Sequence, residues 1–504
     1  MRSNIVATDH APDHLDVLIV GAGLSGICAA YHVQTGLPDH SYAILEAREA
    51  MGGTWDLFRY PGIRSDSDAP TLGFAFKPWT GERSIADGAS ILSYIRETAD
   101  EHGIADRIRY RHKVVAADWN AEAARWSVRV ETPEGERTIT ARFVFMCAGY
   151  YDYDGGHAPR WDGMESFEGT LVHPQAWPDD LDYAGKRVVV IGSGATAVTL
   201  VPEMAKSAAH VTMLQRTPTY IAALPGRDRL SDLLRRVLPG RAAHAATRWK
   251  NIGLGMAMYQ LAQRAPGVVK RNVRRAQVKA LGPDFDVARH LDPPYRPWDQ
   301  RFCVVPDGDL FDAIRGGRAS IVTDTIARFT PTGIELASGE HLDADVVVTA
   351  TGLRIKLIGG ARITLDGVEV AVSETYAYKG AMYSGIPNFA VALGYTNASW
   401  TLKCELIARY VVRLIRHMAA EGYDSAMPRA PGPDVASRPA IGLTSGYIQR
   451  AAADLPKQTD RRPWRLYQNY LADMRLMRFG PVTDEMEFAR LESDAERPTE
   501  REAA

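Results

Sequence analysis

Two segments of the chain show the same order of apolar runs, glycine turns and helical periodicity. In the first, an apolar run at residues 16–20 precedes a glycine-rich turn, an apolar-periodic stretch at 27–33 and a second apolar run at 42–45. Short apolar runs are typical of buried strands, and helical spacing of apolar positions is typical of a helix packed on one face. The first segment therefore predicts a strand–turn–helix–strand unit, and residues 187–216 predict another.

The first turn has the sequence Gly21-Ala-Gly23-Leu-Ser-Gly26, and the strand after it ends at Glu46. In dinucleotide-binding units the first glycine permits the tight turn and the second lets backbone N–H groups approach a pyrophosphate. The third allows close packing of helix on strand, and the acidic residue accepts a hydrogen bond from a ribose hydroxyl. An ordinary turn between strand and helix is the alternative, but the complete unit with its acidic end favours a dinucleotide site.

The second turn differs at two informative positions. Ala197 replaces the third glycine, and the strand after the helix ends in Arg216 and Thr217 rather than in a carboxylate. A cation at this place suits the 2′-phosphate of NADP and leaves NAD without its usual ribose acceptor. We therefore expect FAD at the first unit and NADPH at the second, where the candidate contacts are Gly192, Gly194, Ala195, Thr196, Arg216 and Thr217.

Each unit is followed by a hairpin-like pair of strands and a closing apolar strand. This repetition predicts an α/β fold with two Rossmann-like dinucleotide-binding domains, one inserted in the other. The hairpin strands are expected at 126–131 and 138–140 in the first unit and at 326–334 in the second, with closing strands at 143–149 and 345–352. The expected parts are 1–155 and 343–483 for the FAD-binding domain, 156–342 for the NADPH-binding domain, and 484–504 for a charged tail, loosely helical or disordered.

A helical insert is expected in the second domain at about residues 225–300. Leu230, Leu233, Leu234, Val237 and Leu238 have the spacing of one helix face. Residues 226–289 hold 11 arginines and 3 lysines against 4 aspartates, a local net charge of +10. We interpret the insert as a helical cap with a solvated basic face, and contact with an anionic membrane surface is the alternative.

The composition of the chain argues against several classes of protein. The 59 basic and 61 acidic residues give a net charge of −2, so no nucleic-acid partner is expected. The four cysteines are far apart in the sequence and form no cluster with histidine, which argues against a disulfide scaffold, a metal site or a dithiol centre. The chain has no run of 18 apolar residues, and its first residues lack an apolar signal, so we expect a cytoplasmic protein, with peripheral membrane association left open by the insert.

A longer motif lies between the two units. Residues 167–178 read Phe-Glu-Gly-Thr-Leu-Val-His-Pro-Gln-Ala-Trp-Pro, which resembles the FxGxxxHxxxWP signature of Baeyer–Villiger monooxygenases, a branch of the class B flavoprotein monooxygenases. Residues 52–66 are similar to a second signature of that family, and 293–301 match the segment with its catalytic arginine. The resemblance is greatest to the bacterial ethionamide-activating type, which shares the stretch at 394–403, and it covers roughly residues 14–480.

The resemblance implies an FAD- and NADPH-dependent enzyme that inserts one oxygen atom of O2 into a ketone through a C4a-peroxyflavin, giving an ester or lactone, and that also oxygenates thioethers. It assigns Arg301 to stabilise the peroxide anion, and Asp66 to position that arginine. An ordinary interdomain salt bridge is the alternative for Arg301, and a helix cap is the alternative for Asp66. Many family members carry lysine before the arginine; here Gln300 stands there, so preference for NADPH could be less strict.

Further site residues follow from the matched motifs. His173 and Trp177 are expected to couple the domains rather than act in catalysis, and Trp400 is expected to line the substrate cavity. The candidate FAD contacts are Gly21, Gly23, Gly26, Glu46, Gly53, Thr54, Trp55, Asp66, Val114 and Asn397. Two other functions remain open at this stage: a flavin-containing monooxygenase of sulfur or nitrogen atoms, and a flavin-binding module without catalysis.

Overall fold

The computed structural model describes residues 14–491. The first part of the chain forms a parallel strand–helix–strand core followed by a strand hairpin. Its elements are β1 (His14–Val20), α1 (Leu24–Gly36), β2 (Tyr42–Glu46), α2 (Thr54–Leu57), α3 (Ala69–Leu72), α4 (Gly88–Glu101), β3 (Ile108–Tyr110), β4 (Lys113–Asn120), β5 (Arg125–Thr132) and β6 (Gly135–Met146).

The middle part repeats the core and adds a group of helices. Its elements are β7 (Thr170–Val172), β8 (Arg187–Ile191), α5 (Ala195–Met204), β9 (His210–Gln215), β10 (Ile221–Leu224), α6 (Arg229–Val237), α7 (Gly240–Arg264), α8 (Pro266–Leu281), α9 (Val287–His290), β11 (Cys303–Pro306), α10 (Asp309–Arg315), β12 (Ala319–Thr323), β13 (Ile326–Thr330), β14 (Gly333–Leu336), β15 (His341–Asp343) and β16 (Val346–Thr349).

The last part returns to the first sheet and ends in short strands around one long helix. Its elements are β17 (Arg362–Leu365), β18 (Val368–Glu369), β19 (Ala377–Tyr378), β20 (Met382–Tyr383), β21 (Phe389–Val391), α11 (Trp400–Glu421), β22 (Ser425–Pro428), β23 (Arg438–Pro439), α12 (Gly446–Arg450), β24 (Lys457–Gln458), α13 (Tyr470–Met474) and β25 (Met486–Ala489).

Strand order confirms two dinucleotide-binding domains, one inserted in the other. The first sheet has the order β18-β17-β4-β5-β6-β1-β2-β3, with β21 also paired to β6, so it takes strands from both ends of the chain. The second sheet has the order β12-β9-β8-β16-β7, and all of its strands are parallel. Because the second sheet is built entirely from residues 170–349, the inserted domain is continuous in sequence.

The two crossings between the domains pair with each other. Tyr151 and Ile355 form an isolated antiparallel bridge, and the N–H of Asp152 donates to the carbonyl of Arg354 at 2.9 Å. Because β16 pairs with β8 and β7 inside the second sheet, the expected boundary between 342 and 343 is wrong: that domain extends to Thr349.

Three other expectations need correction. β6 is one continuous strand, because its first half pairs with β5 and its second half with β1, so no break separates the two predicted pieces. The predicted strand at 326–334 is a hairpin of β13 and β14, since Pro331 occupies the turn. The predicted tail begins with β25, which pairs with β22, and its remaining residues, 492–504, lie outside the described residues.

The first turn shows why glycine is needed at two of its positions. Gly21 has a φ of +103°, a conformation that L side chains rarely adopt. A Cβ on Gly26 would lie 1.8 Å from the carbonyl oxygen of Gly21, so α1 could not approach β1 so closely with any other residue there. On its other side α1 packs against α11, where the Oγ of Ser25 and the Sγ of Cys404 are 3.3 Å apart.

A buried arginine fixes the helical insert to the first domain. Arg248, on α7, donates through Nη1 to the carbonyls of Pro70, Thr71 and Gly73 around the end of α3. Its Nη2 lies 3.1 Å from Oε2 of Glu405 on α11, and both side chains are 6% exposed. One guanidinium therefore binds three helices together.

The outer side of the insert differs from the basic face expected from the sequence. α6 forms where its spacing predicts a helix, yet Leu230, Leu233 and Val237 are 51%, 53% and 64% exposed. No element among residues 14–491 covers this side, so the apolar face points outward. Within the same residues, no helix combines the length and the apolar character that crossing a membrane requires.

We expect Arg248→Met to destabilise the protein strongly, because it leaves the Glu405 carboxylate buried without its main cationic partner. Breaking one side of a buried pair costs about 3–5 kcal/mol. Thermal unfolding followed by circular dichroism would measure the loss. Arg187→Met is the control, since the Arg187 pairs with Asp343 and Asp345 are about half exposed and should contribute much less to stability. An unchanged unfolding temperature for Arg248→Met would contradict this role.

Candidate functional site

One cavity of about 1130 Å³ lies between the two domains. Its wall includes both glycine turns, which follow the carboxyl ends of β1 and β8. In open α/β sheets ligands bind outside the carboxyl ends of the strands, and here two such ends face the same space. The cavity is therefore the candidate site for both dinucleotides.

Glu46 lies at the end of the first unit, and backbone N–H groups hold its carboxylate in place. Its Oε2 accepts from the N–H of Ala22 at 2.8 Å, and its Oε1 accepts from the N–H of Arg48 at 2.9 Å. The side chain is buried at the end of β2 and lines the cavity. Each carboxylate oxygen keeps a further lone pair, so a ribose hydroxyl can donate to it without breaking these bonds.

The second signature meets the first turn directly. A Cβ on Gly53 would lie 3.2 Å from the Cα of Gly23, so the two backbones are in contact. The Oγ1 of Thr54 lies 3.2 Å from the hydroxyl of Tyr153, which closes this side of the cavity. The predicted contacts that line this half of the cavity are Gly21, Gly23, Glu46, Gly53, Thr54, Trp55, Asp66 and Val114, whereas Gly26 serves the packing of α1.

All six predicted NADPH contacts line the cavity. Four belong to the second turn and the start of α5, and two follow β9: Gly192, Gly194, Ala195, Thr196, Arg216 and Thr217. The side chain of Arg216 is exposed and forms no ion pair with any residue in the range 14–491. A residue that the sequence reasoning missed lies beside it: the N–H of Asp324 donates to the carbonyl of Gln215 at 3.0 Å, and Asp324 lines the cavity. The Oδ1 of Asp324 accepts from the N–H of Thr325 at 2.6 Å, so the end of β12 adds a carboxylate to this part of the cavity wall.

Glycine at 23 and at 194 is not required by the packing of the protein. Neither has a positive φ, a Cβ at 23 would make only ordinary contact with Gly53, and a Cβ at 194 would meet no atom within 4 Å. Both positions face the cavity. Their lack of a side chain therefore leaves room for a bound group against the backbone, which is what the pyrophosphates of FAD and NADP need.

Arg301 and Asp66 meet across the domains at the cavity wall. Nη2 of Arg301 lies 2.8 Å from Oδ2 of Asp66, and Nη1 donates to the carbonyl of Thr396 at 3.0 Å. Asp66 raises the pKa of Arg301 further above its usual value. Asp66 is not a helix cap, because Asp68 caps α3 by accepting from the N–H of Thr71 at 2.9 Å.

An aromatic wall stands beside this ion pair, and sequence reasoning found only one of its members. Tyr150 stacks on Trp400 with ring centroids 5.1 Å apart, and the Nε1 of Trp400 donates to the Oγ of Ser25 at 2.8 Å. The hydroxyls of Tyr150 and Tyr151 are 3.1 Å apart. Tyr447, from α12, completes the wall, and burial raises its pKa to about 12. The sequence could have indicated Tyr150 and Tyr151, because they follow β6 and loops after parallel strands often form ligand-binding sites.

Besides Gly26, three predicted residues lie outside the cavity. Asn397 is absent from the cavity wall although Ala398 and Trp400 are present, and its Nδ2 donates to the carbonyl of Gln468 at 2.9 Å, so its contact with FAD stays a prediction. His173 packs against the first crossing, where a Cβ on Gly156 would lie 2.1 Å from its ring, and burial lowers its pKa. Trp177 packs on the core of the second domain.

Sequence comparisons identify the family of the chain. A family model described as flavin-binding monooxygenase-like matches residues 84–229, and one described as an NAD(P)-binding Rossmann-like domain matches 19–79. The chain is 54% identical over 480 residues to the FAD-containing monooxygenase EthA of Mycobacterium tuberculosis, covering 95% of this chain and 98% of that protein. It is 48% identical over 474 residues to the probable FAD-binding monooxygenase AlmA of Acinetobacter baylyi, covering 94% and 95%.

Solved structures share the fold. An oxidized steroid monooxygenase bound to NADP superposes with a TM-score of 0.74 at 22% identity, over 95% of this chain and 100% of that one. The open crystal structure of cyclohexanone monooxygenase gives a TM-score of 0.72 at 20% identity, over 94% and 99%. Since identity to the curated relatives extends along nearly the whole chain, this protein belongs to the family of FAD-containing monooxygenases that includes EthA and AlmA.

Proposed function

We propose that the protein is an FAD- and NADPH-dependent monooxygenase of the Baeyer–Villiger type. It converts a ketone, O2 and NADPH with one proton into an ester or lactone, NADP⁺ and water. The observation that carries this proposal is the Arg301–Asp66 ion pair, which lies on the wall of the cavity that both glycine turns share. The relatives EthA, an FAD-containing monooxygenase, and AlmA, a probable FAD-binding monooxygenase, support the cofactor and the reaction class.

When bound and reduced, FAD supplies the chemistry that activates dioxygen. The protein supplies position and charge. Arg301 provides a guanidinium that stays protonated at any working pH, so it stabilises negative charge in the cavity without giving up a proton. Asp66 and the carbonyl of Thr396 hold the planar guanidinium from two sides, which fixes its direction before substrate arrives.

The same guanidinium serves the second half of the reaction. Oxygen insertion into a ketone places negative charge on the former carbonyl oxygen before a carbon migrates. Arg301 is the cation on the wall of the cavity that faces Tyr150 and Tyr151, and its Nη atoms carry N–H groups that can donate to that oxygen. The tyrosines exclude water on this side.

Thioether oxygenation is a second activity that we propose for this site. The wall formed by Tyr150 and Trp400 is aromatic, and sulfur makes favourable contacts with aromatic rings.

Arg301→Ala should separate oxygen consumption from oxygenation. FAD binding and reduction by NADPH should persist, because Arg301 is not among the residues of the glycine turns. Oxygenated product should fall by about 10²–10³-fold, since a preorganised electrostatic donor is lost, and hydrogen peroxide should appear in its place. Turnover with a linear ketone and with thioanisole, followed by mass spectrometry and a peroxide assay, measures both yields.

The matched control is Arg296→Ala, five residues earlier, because Arg296 is exposed and does not line the cavity. It should keep the product-to-peroxide ratio of the wild type. Undiminished ketone oxygenation by Arg301→Ala would show that another cation stabilises the reacting groups.

Arg216→Ala should raise the KM for NADPH far more than the KM for NADH. A charged contact with phosphate contributes about 1.5–3 kcal/mol, which corresponds to about one to two decades. Asp324→Asn should act in the opposite direction, because it removes a negative charge from the same part of the cavity wall. Steady-state kinetics with both cofactors test the pair, and Arg318→Ala, which lies outside the cavity wall, is the control. Equal effects of Arg216→Ala on both cofactors would show that the phosphate is bound elsewhere.

A further inference from the structure

Two neighbouring helices of the insert each expose a set of apolar side chains. α6 exposes Leu230, Leu233 and Val237, and α7, which packs against it, exposes Leu254, Met258 and Leu261. We call these six side chains the α6–α7 face. Leu254 is 62% exposed, and the sequence holds no charged residue between Lys250 and Arg264. Single exposed leucines are ordinary, but an apolar series on two adjacent helices marks an interaction surface.

Cations border this face and have no acidic partners. Arg229 and Arg236 lie on α6, and Arg241 and Arg264 lie at the two ends of α7. All four are exposed, and none forms an ion pair with a residue in the described part of the chain. Asp232 is the sole acid between residues 229 and 282, and it pairs with Arg235.

We propose that the α6–α7 face docks on a lipid bilayer with anionic headgroups. Helices that lie in a membrane interface bury an apolar side and present lysine or arginine to the headgroups, and these two helices have both features. A second copy of the chain is a poorer partner. In a symmetric contact the same patch meets itself, so the unpaired arginines of the two copies would face each other.

The inner side of α7 connects this face to the cavity. Ile252 packs in a cluster with Leu402 and Tyr395, and Tyr395 lines the cavity. Tyr259 makes an edge contact, 6.0 Å between centroids, with Trp298 in the segment that leads to Arg301. One helix thus has the bilayer on its outer side and the site on its inner side. Resting on the proposed function, docking would supply ketones or thioethers that are dissolved in the membrane.

Vesicle co-sedimentation of the holoenzyme tests the docking. We expect binding to vesicles of phosphatidylcholine with about one third phosphatidylglycerol, weaker binding in high salt, and weak binding to phosphatidylcholine alone, because the arginines attract anionic headgroups. Binding that is the same for both vesicle types would overturn the proposal.

The double variant Leu254→Glu/Leu261→Glu should lower partitioning to the anionic vesicles by about tenfold or more, since two side chains can no longer enter the interface. Both positions are on the surface, so FAD occupancy and circular dichroism should match the wild type. If the glutamates disturb α7, Leu254→Gln/Leu261→Gln keeps the helix and should still weaken binding. Val368→Glu is the matched control, because Val368 is 70% exposed on β18 in the other domain.

Two further results would overturn the proposal. One is undiminished vesicle binding by both double variants. The other is an oligomer of the wild type that the variants dissociate while neither form binds vesicles, because the face would then join copies of the chain. Vesicle binding needs no turnover, so loss of oxygenation with intact binding would count against the proposed function alone. Turnover of a water-soluble ketone should be equal in the wild type and the variants.

Discussion

The ion pair between Arg301 and Asp66 joins residues from different domains, so it exists only while both sheets face one cavity. Several features maintain that condition. The two crossings pair through Tyr151 and Ile355, which limits how far the inserted domain can turn. Arg248 ties the insert, which precedes Arg301 in the chain, to α3, which follows Asp66. The position of the Arg301 guanidinium therefore depends on contacts made well outside the cavity.

The charged groups on the cavity wall differ between the two glycine turns and the region of Arg301. The first unit ends in a buried carboxylate that two backbone N–H groups already hold, which suits a neutral ribose. The second ends in an exposed arginine, and Asp324, at the end of the neighbouring strand, also lines the cavity there. Arg301 stands apart from both turns, and its proposed task is the stabilisation of negative charge in the reaction. Under the proposed function, each of these charged groups therefore has a different partner: the ribose, the 2′-phosphate or the reacting oxygen.

The insert has two faces with different tasks. Its inner side is polar where Arg248 reaches buried carbonyls and apolar where Ile252 meets Tyr395. Its outer side carries exposed leucines bordered by unpaired arginines. The insert therefore lacks the uniformly polar outer face of an ordinary surface helix. The apolar spacing of α6 predicts the helix correctly, but it does not tell which partner covers the apolar side.

The sequence alone determined the two strand–turn–helix units, the insertion of one domain in the other, and the glycines and charges at their ends, because these depend on residues close together in the chain. Motif resemblance added the pairing of Arg301 with Asp66. Tertiary structure decided the rest: Arg248 binds Glu405 across 157 positions, Asp324 lies beside Arg216, Asn397 turns toward Gln468, and β16 belongs to the second sheet. Such contacts depend on how separate elements pack, and no local pattern of side chains specifies that packing.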